Sequence, residues 1–256
     1  MKKILSGICI ALFFSMTFLS CGLDTFYVVP APYTTGNVLP IDNNDFNNNI
    51  VSFRTNESGM SSDFSFDGTT VYYKIFSSRD TCFNSYTRID AVNNESNYSA
   101  ASEAVINGYS QLKCVNNTTN FVEFFIVRPS GSNTSVEIRL TNYYAPGTEN
   151  PDAKYVSYIK INNHVESTPV RTQCENANYK SFDFGWHNYS SYTDICEIPS
   201  SSWNSKEFEG STPSDGIYYI DLYAIAYGHD VTYTPYYSKP LHLGVIKVKS
   251  NSDFNY

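Results

Sequence analysis

Alternating side chains near the C-terminus constrain the fold of this chain more than any other feature of its sequence. A turn with two prolines, YTPYYSKP, joins residues 215–230, DGIYYIDLYAIAYGHD, to residues 241–249, LHLGVIKVK. Successive side chains of a strand point to opposite faces, so each run presents two distinct faces. In the first run, one face holds Tyr218, Ile220, Leu222 and Ala224, and the other holds Tyr219, Asp221 and Tyr223. We therefore expect a long β-hairpin at the end of the fold.

Five shorter runs upstream are rich in β-branched and aromatic residues and also predict strands. They are IVSFRT (50–55), TVYYKIF (70–76), FVEFFIV (121–127), SVEIRLT (135–141) and YVSYIKI (155–161). Turn signals separate them at Asp67-Gly68, at SGSN (130–133), which predicts a hairpin, and at Asn162-Asn163. This pattern predicts an all-β sandwich of about eight strands. We place it in one domain over residues 50–249, followed by a tail at 250–256. Two smaller β-domains dividing near 145–153 are the alternative.

One stretch departs from the strand pattern. Apolar residues recur at helical spacing between residues 101 and 112, at Ala101, Ala104, Val105, Tyr109 and Leu112. This spacing predicts one short helix inserted in the sandwich, covering an edge or an end of a sheet.

The C-terminal hairpin resembles the last two strands of fibronectin type III and related immunoglobulin-like domains. The tyrosine, alternating aliphatics and Tyr-Ala pair of YYIDLYAI are similar to that family's F strand, and SKPL (238–241) resembles the start of its last strand. The resemblance covers 35 residues, 215–249. It implies an immunoglobulin-like β-sandwich, a fold that mostly presents binding surfaces or acts as a spacer. A fold alone does not name a ligand.

The N-terminus has the pattern of an export signal. Lys2 and Lys3 precede an apolar run, Ile4–Leu19, that suits a signal peptide better than a membrane span. The segment FLSC, ending at Cys21, resembles a bacterial lipobox of the looser spirochaete type, with Phe18 where Leu is usual. That resemblance implies removal of residues 1–20 and acylation of Cys21. We expect an exported lipoprotein anchored in the bacterial cell envelope, at the outer membrane. An ordinary cleaved secretory signal is the alternative.

Between this anchor and the first strand, residues 21–49 predict a tether, within which TFYVV (25–29) could still add an edge strand to the domain. Pro30, Pro32 and Pro40 restrict regular structure, and DNNDFNNN (42–49) is an asparagine-rich polar run.

The charge balance limits the partners that we expect. Lys2 and Lys3 are two of the 17 basic residues, and residues 1–20 contain no acid. The mature chain therefore has 15 basic and 25 acidic residues, a formal charge of −10. This balance disfavours nucleic acid, which needs clustered positive charge, and electrostatic binding to anionic lipid.

Four cysteines remain besides Cys21. An even number of cysteines in an exported chain predicts two disulfides, with three connectivities. We favour pairing Cys82 with Cys114 and Cys174 with Cys196, because each pair encloses a polar excursion between apolar strands. A zinc site is the alternative, but the spacing lacks a C-x₂₋₄-C pair.

No motif in the sequence predicts catalysis, a cofactor or a metal. Residues 63–68, DFSFDG, resemble the start of a calcium-binding EF-hand loop, but position twelve is Lys74 rather than an acid, so a hairpin turn fits better. The four histidines are His164, His187, His229 and His242, and none has a metal-binding spacing. His229 and His242 could approach across the C-terminal hairpin. There is no G-x-S-x-G elbow and no phosphate-binding glycine loop.

One loop carries the residue types of a binding surface. In FGWHNYSSYTDIC (184–196), aromatic residues alternate with hydrogen-bonding residues, as on surfaces that stack on sugars or anchor proteins. The ligand-binding candidates are Trp186, Tyr189, Tyr192 and, as an extension, Trp203. The alternative is that these side chains pack over the end of a sheet.

These features predict a non-catalytic lipoprotein that displays a binding or structural β-domain, with a protein or glycan ligand. The alternative is an envelope protein that binds or hydrolyses glycans, because paired carboxylates leave no sequence signature.

Overall fold

The computed structural model of the protein describes residues 27–34, 36–45, 49–59, 62–116, 121–141, 157–172, 182, 184 and 199–250. These residues form thirteen strands and two helices. The strands are β1 (Ile50–Arg54), β2 (Phe64–Phe76), β3 (Ser110–Gln111), β4 (Lys113–Asn116), β5 (Val122–Phe124), β6 (Ile126–Val127), β7 (Ser135–Arg139), β8 (Tyr158–Ile161), β9 (His164–Val170), β10 (Phe208–Glu209), β11 (Ile217–Asp230), β12 (Pro235–Tyr237) and β13 (Leu241–Lys249). The helices are α1 (Arg79–Val92) and α2 (Tyr98–Gly108).

The central element is the antiparallel pair of β2 and β11, the two longest described strands. The other side of β2 is lined by three short strands, β6, β3 and β10. The other side of β11 pairs with β13 along its first half and with β12 near its end. The predicted C-terminal hairpin is confirmed, with β12 added inside the predicted turn.

A second sheet, in the order β1-β7-β8-β9-β4-β5, packs on the first. The predicted all-β sandwich is therefore confirmed. Its core lies between the sheets and combines residues such as Phe53 and Ile138 with the predicted apolar face of β11. That face contributes Tyr218, Ile220, Leu222 and Ala224, all fully buried. Burial of these side chains at about 25 cal/mol per Å² of apolar area is the main term that stabilises the sandwich.

The helices cover the outer face of the β2–β11 sheet. Val105 and Ala101 of α2, with Ile89 of α1, pack on Tyr223 and Ile225 of β11. The predicted helix is confirmed as α2, but it covers a sheet face rather than an edge or an end. The sequence does not predict the second helix, α1, because α1 is mostly polar and buries only Cys82 and Ile89. Its start carries a local signal, since the Ser78 hydroxyl accepts a hydrogen bond from the Thr81 amide as an N-cap. Among the described residues, neither helix has the length and apolar content needed to cross a bilayer.

Of the three predicted turns, the one at Asn162-Asn163 is confirmed, because it joins the antiparallel strands β8 and β9, and the other two are wrong. Asp67-Gly68 lies inside β2, opposite a register shift in β11. Gly68 has a φ of +144°, and a Cβ there would lie 2.5 Å from the Val127 carbonyl oxygen, so only glycine fits. The SGSN segment (130–133) crosses between the sheets, because β6 pairs with β2 whereas β7 pairs with β1 and β8.

The described part of residues 21–49 is packed on the sandwich, so the tether prediction is wrong there. Residues 27–34 and 36–45, which we call the N-terminal strap, form bridges from Tyr33 to Arg54 and from Leu39 to Gly244. Val29 in the strap is 3% exposed. Ile41 of the strap is also buried, at 6% exposed, whereas Val28 and Val38 stay exposed.

Strands on either side of residues 145–153 pair with each other, which argues against the two-domain alternative. β2 pairs with β11, and β7 pairs with β8. Residues 145–153 themselves lie outside the described residues.

We predict that Gly244→Ala loosens the strap and destabilises the protein. Gly244 has a φ of +109°, and a Cβ there would lie 2.5 Å from the backbone nitrogen and oxygen of Leu39. Strain of this kind costs about 1–3 kcal/mol. The measurement is the free energy of unfolding in denaturant. The control is Gly36→Ala, also in the strap, where a Cβ meets nothing within 4 Å. Equal stability of the two variants would contradict the packed strap.

Candidate functional site

The predicted aromatic surface falls almost wholly outside the described residues, which include only Trp203. The others are Trp186, Tyr189 and Tyr192. The Arg171 guanidinium lies 3.9 Å from the centre of the Trp203 ring, and Phe208 packs edge-on against the same ring at 6.2 Å between centroids. Trp203 therefore packs against the core, and its contacts do not support a role as an open stacking surface.

Beside Trp203, a buried ion pair joins a residue from the end of β9 to one before β10. Arg171 Nη1 lies 3.7 Å from Glu207 Oε1, with the two side chains 2% and 0% exposed. The Tyr73 hydroxyl donates a 2.7 Å hydrogen bond to the same Glu207 oxygen and accepts one from the Thr172 amide. Burial raises the pKa of Tyr73 well above its ordinary value, which keeps the phenol a donor. This network joins β2 to the segments after β9 and before β10. The side chains of Tyr73, Arg171 and Glu207 are buried, so none of them is accessible to a ligand.

A second polar network lies under the helices and is centred on Asp221, which is fully buried on the outer face of β11. Its Oδ2 accepts a 2.7 Å hydrogen bond from the Tyr109 hydroxyl, and its Oδ1 lies 2.7 Å from His242 Nε2. The Tyr109 hydroxyl also lies 3.2 Å from Ser85 Oγ of α1. One carboxylate thereby connects β11, β13 and the end of α2, and reaches α1 through Tyr109.

His242 lies between two aromatic rings and two carboxylates. Its ring stacks on Tyr223 at 4.8 Å and packs against Tyr86 at 4.9 Å between centroids. Its Nδ1 lies 3.9 Å from Asp90 Oδ2 of α1. Burial alone would lower the pKa of His242, but the hydrogen bond and charge of Asp221 and the charge of Asp90 raise that pKa above 6.5. When protonated, the His242 ring faces carboxylates of both β11 and α1, and this helps to hold α1 against the sheet.

The pairing of Cys82 with Cys114 is wrong, because both are free, buried thiols. Cys82 belongs to α1 and packs with Ile41, Phe76 and Val245 on the outer side of the β2–β11 sheet. Cys114 belongs to β4, and its side chain lies in the core between the sheets. Cys174 and Cys196 lie outside the described residues. Burial raises the pKa of Cys82, so its thiol stays protonated.

The two histidines of the hairpin do not meet, so their predicted approach is wrong. His242 pairs with Tyr223 of β11, whereas His229 pairs with Pro235 of β12. These two positions of β11, 223 and 229, are six residue steps apart, roughly 20 Å along a strand. His229 Nδ1 lies 2.9 Å from Asp67 Oδ2 instead.

The described part of the chain supports neither of the remaining metal-site hypotheses, the EF-hand-like loop and the other histidines. No group of three His, Cys, Asp or Glu side chains there could hold a metal ion. Of the EF-hand-like residues, Asp63 precedes β2 and residues 64–68 belong to that strand. His164 is exposed in β9, and His187 lies outside the described residues.

A cleft of about 320 Å³ lies beside the edge of the second sheet. It is lined by residues of β4, β5, β6, β8, β9 and the loops near them. These include Cys114, Glu123, Phe124, Arg128, Ile161 and Glu166. The cleft has both apolar and charged walls, as ligand-binding clefts do.

The outer wall of the cleft is β5, which pairs only with β4 among the described residues. The Phe121 carbonyl accepts a hydrogen bond from the Asn116 amide, and the Phe125 amide donates one to the Leu112 carbonyl. Hydrogen-bonded and non-bonded positions alternate along an antiparallel pair. Positions 121, 123 and 125 therefore point their backbone groups toward β4 and its flanks.

It follows that Val122 and Phe124 point their backbone N–H and C=O groups away from the sheet. Two aromatic side chains of this segment are unusually exposed for apolar residues, Phe121 at 74% and Phe124 at 48%. The Lys113 ammonium lies 5.2 Å from the centre of the Phe124 ring and supports it from one side. We call residues 121–124 the β5 edge. The sequence run FVEFFIV contained this signal, but its interpretation as one strand hid the change of sheet at Phe125.

We predict that helix docking depends on pH through His242. Because its pKa is raised in the folded state, protonated His242 stabilises the fold fully below about pH 6.5. That contribution is lost as pH rises through the folded pKa. His242→Gln should therefore lower the free energy of unfolding more at about pH 5 than at about pH 8.

The matched control is the exposed His164→Gln, which should show no such difference. Denaturant unfolding at both pH values provides the measurement. An equal loss of stability at the two pH values in His242→Gln would refute a charged His242.

No family model, curated protein or solved structure that was compared with this chain matches it. The resemblances to a lipobox and to a fibronectin type III hairpin therefore stay predictions from the sequence. The all-β sandwich rests on the structure itself.

Proposed function

We propose that this chain is an exported bacterial lipoprotein, acylated at Cys21, with a non-catalytic β-sandwich held at the cell envelope. The sandwich binds a protein partner along the β5 edge. The observation that carries the binding role is the β5 edge itself. It combines outward-facing backbone groups at Val122 and Phe124 with exposed aromatic side chains. An extended segment of a partner can add to such an edge as a further strand.

The two parts of this mode of binding have different roles. Backbone hydrogen bonds to an edge strand give affinity, and pockets for alternate side chains give specificity. The cleft beside Phe124 supplies such a pocket, with Glu123 and Arg128 in its walls. An edge strand with outward-facing backbone groups can also pair with other chains and aggregate. A bound partner would cover these backbone groups and prevent such pairing.

The buried networks support a structural rather than catalytic sandwich. The Asp221 carboxylate and the Cys82 thiol are both 0% exposed. The Tyr109 hydroxyl and the His242 ring are engaged with Asp221. The carbohydrate alternative depends on aromatic residues outside the described part of the chain, and it stays a prediction.

The anchor predicts a change of cell fraction. Cys21→Ser removes the sulfur that would carry the lipid, so the protein should move from the membrane fraction to the soluble fraction. Several acyl chains are needed for stable anchoring, at about 0.8 kcal/mol per buried methylene. Immunoblots of both fractions measure this effect, with Ser20→Ala as a control that keeps a small residue before the cysteine. Membrane retention of Cys21→Ser would exclude the anchor.

The binding role predicts contact at one position of the β5 edge. We expect Phe124→p-benzoylphenylalanine, irradiated in producing cells, to give a discrete crosslinked protein adduct. Lys206→p-benzoylphenylalanine, on an exposed turn before β10, is the control and should give none.

A backbone test shows whether the contact is strand addition. Val122→Pro removes a backbone N–H that faces away from β4. The pairing of β4 with β5 is therefore kept, but a strand of the partner loses its hydrogen bond to position 122. The adduct at position 124 should be lost in this background. An adduct that survives Val122→Pro, or no adduct at all, would rule out strand addition at this edge.

A further inference from the structure

The end of the sandwich where β11 turns into β12 exposes large apolar side chains. Val231 is 74% and Tyr233 81% exposed, and Val28 of the strap is 71% exposed. We call residues 229–236 the β11–β12 tip. Exposed apolar residues clustered at one end of a domain mark an interaction surface.

The exposure of Tyr233 is fixed by its contacts. The ring stacks on His229, with 5.1 Å between centroids and 12° between planes. Asp67 Oδ2 lies 2.9 Å from His229 Nδ1 and so helps to fix the His229 ring. Tyr233 has a φ of +62°, a left-handed conformation that is uncommon for a bulky residue. The Asp230 carboxylate holds the turn by accepting hydrogen bonds from the Thr232 and Thr234 amides. One face of the Tyr233 ring thus packs inward and the other points outward.

The N-terminal strap begins at this same tip. The Tyr27 ring lies 5.6 Å from Phe64 and 5.5 Å from Tyr236, and these two rings lie 6.2 Å apart. Phe64 starts β2 opposite Asp230, the last residue of β11. The first described residue of the chain is therefore docked at the β11–β12 tip.

Chain length then limits how far the tip can be from the anchor. Six Cα–Cα steps separate Cys21 from Tyr27, and at up to 3.6 Å per residue they span at most about 22 Å. β11 has 14 residues and is roughly 45 Å long. A lipid on Cys21 would hold the tip near the bilayer, whereas the opposite end of β11 has no such constraint.

We propose that the β11–β12 tip rests in the interfacial layer of the membrane that holds Cys21, with Tyr233 and Val231 in contact with lipid. This inference rests on the proposed anchor. Tyrosine suits this layer, because its ring is apolar and its hydroxyl remains hydrated. The sequence of the tip, HDVTYTPY, contains no lysine or arginine, so the contact does not need anionic lipid. The sandwich then stands on the membrane by its tip, with its opposite end pointing away.

The test uses the full, lipidated chain in zwitterionic phosphatidylcholine vesicles. Tyr233→p-benzoylphenylalanine places a photoreactive ring at the tip. Ser214→p-benzoylphenylalanine is the matched control, because Ser214 is exposed in the turn before β11, at its opposite end. Vesicle flotation first separates membrane-bound protein, and mass spectrometry then detects lipid adducts. We expect adducts from position 233 and none from position 214.

Protein that floats but gives no more adduct at 233 than at 214 would overturn the tip contact while leaving the anchor intact. Protein that does not float would overturn the anchor, and the tip contact with it. In the 233 probe background, Val231→Asp places a charge in the same layer, and we expect the adduct to be lost. An unchanged adduct in that variant would also contradict the proposal.

Discussion

The pairing of β2 with β11 is the constraint on which the rest of the structure depends. Twelve residue pairs join the two strands, from Tyr219 with Phe76 to Asp230 with Phe64. Every other strand of that sheet pairs with one of the two. The second sheet and the helices cover opposite faces of the pair, so β11 is buried on both sides along most of its length. Without this pairing, the second sheet and the helices would have no common sheet to pack on.

Burial on both faces explains the polar networks. The sequence places Asp221 in the middle of a strand that the helices cover, and a buried carboxylate is costly unless it is paired. Tyr109 and His242 supply its partners, and each comes from a different element. The position of the helices is therefore set by hydrogen bonds as well as by apolar packing. Such networks favour one arrangement over others that bury similar area.

The sequence predicts elements whose pattern is long and locally consistent, and it fails where long-range contacts decide the outcome. The alternation in β11 and β13 is regular enough to give the hairpin and the assignment of its two faces. Helix α1 has little periodicity, since its burial depends on a sheet formed by distant residues. The N-terminal strap fails for the same reason, because its contact at Gly244 lies about 200 positions away in the chain. The β5 edge could be found only by following hydrogen bonds through a change of sheet.

The fold and the predicted anchor together describe a domain with distinct ends. The tip carries the start of the strap, and the β5 edge lies on the side of the second sheet. The proposed lipid at Cys21 would set the compartment and the orientation of the domain, and the tip contact depends on it. The most direct measurement is the mass of the N-terminal peptide of the protein isolated from its own membranes. The account predicts a peptide that begins at Cys21 and carries acyl chains. A peptide that begins elsewhere, or an unmodified Cys21, would contradict it.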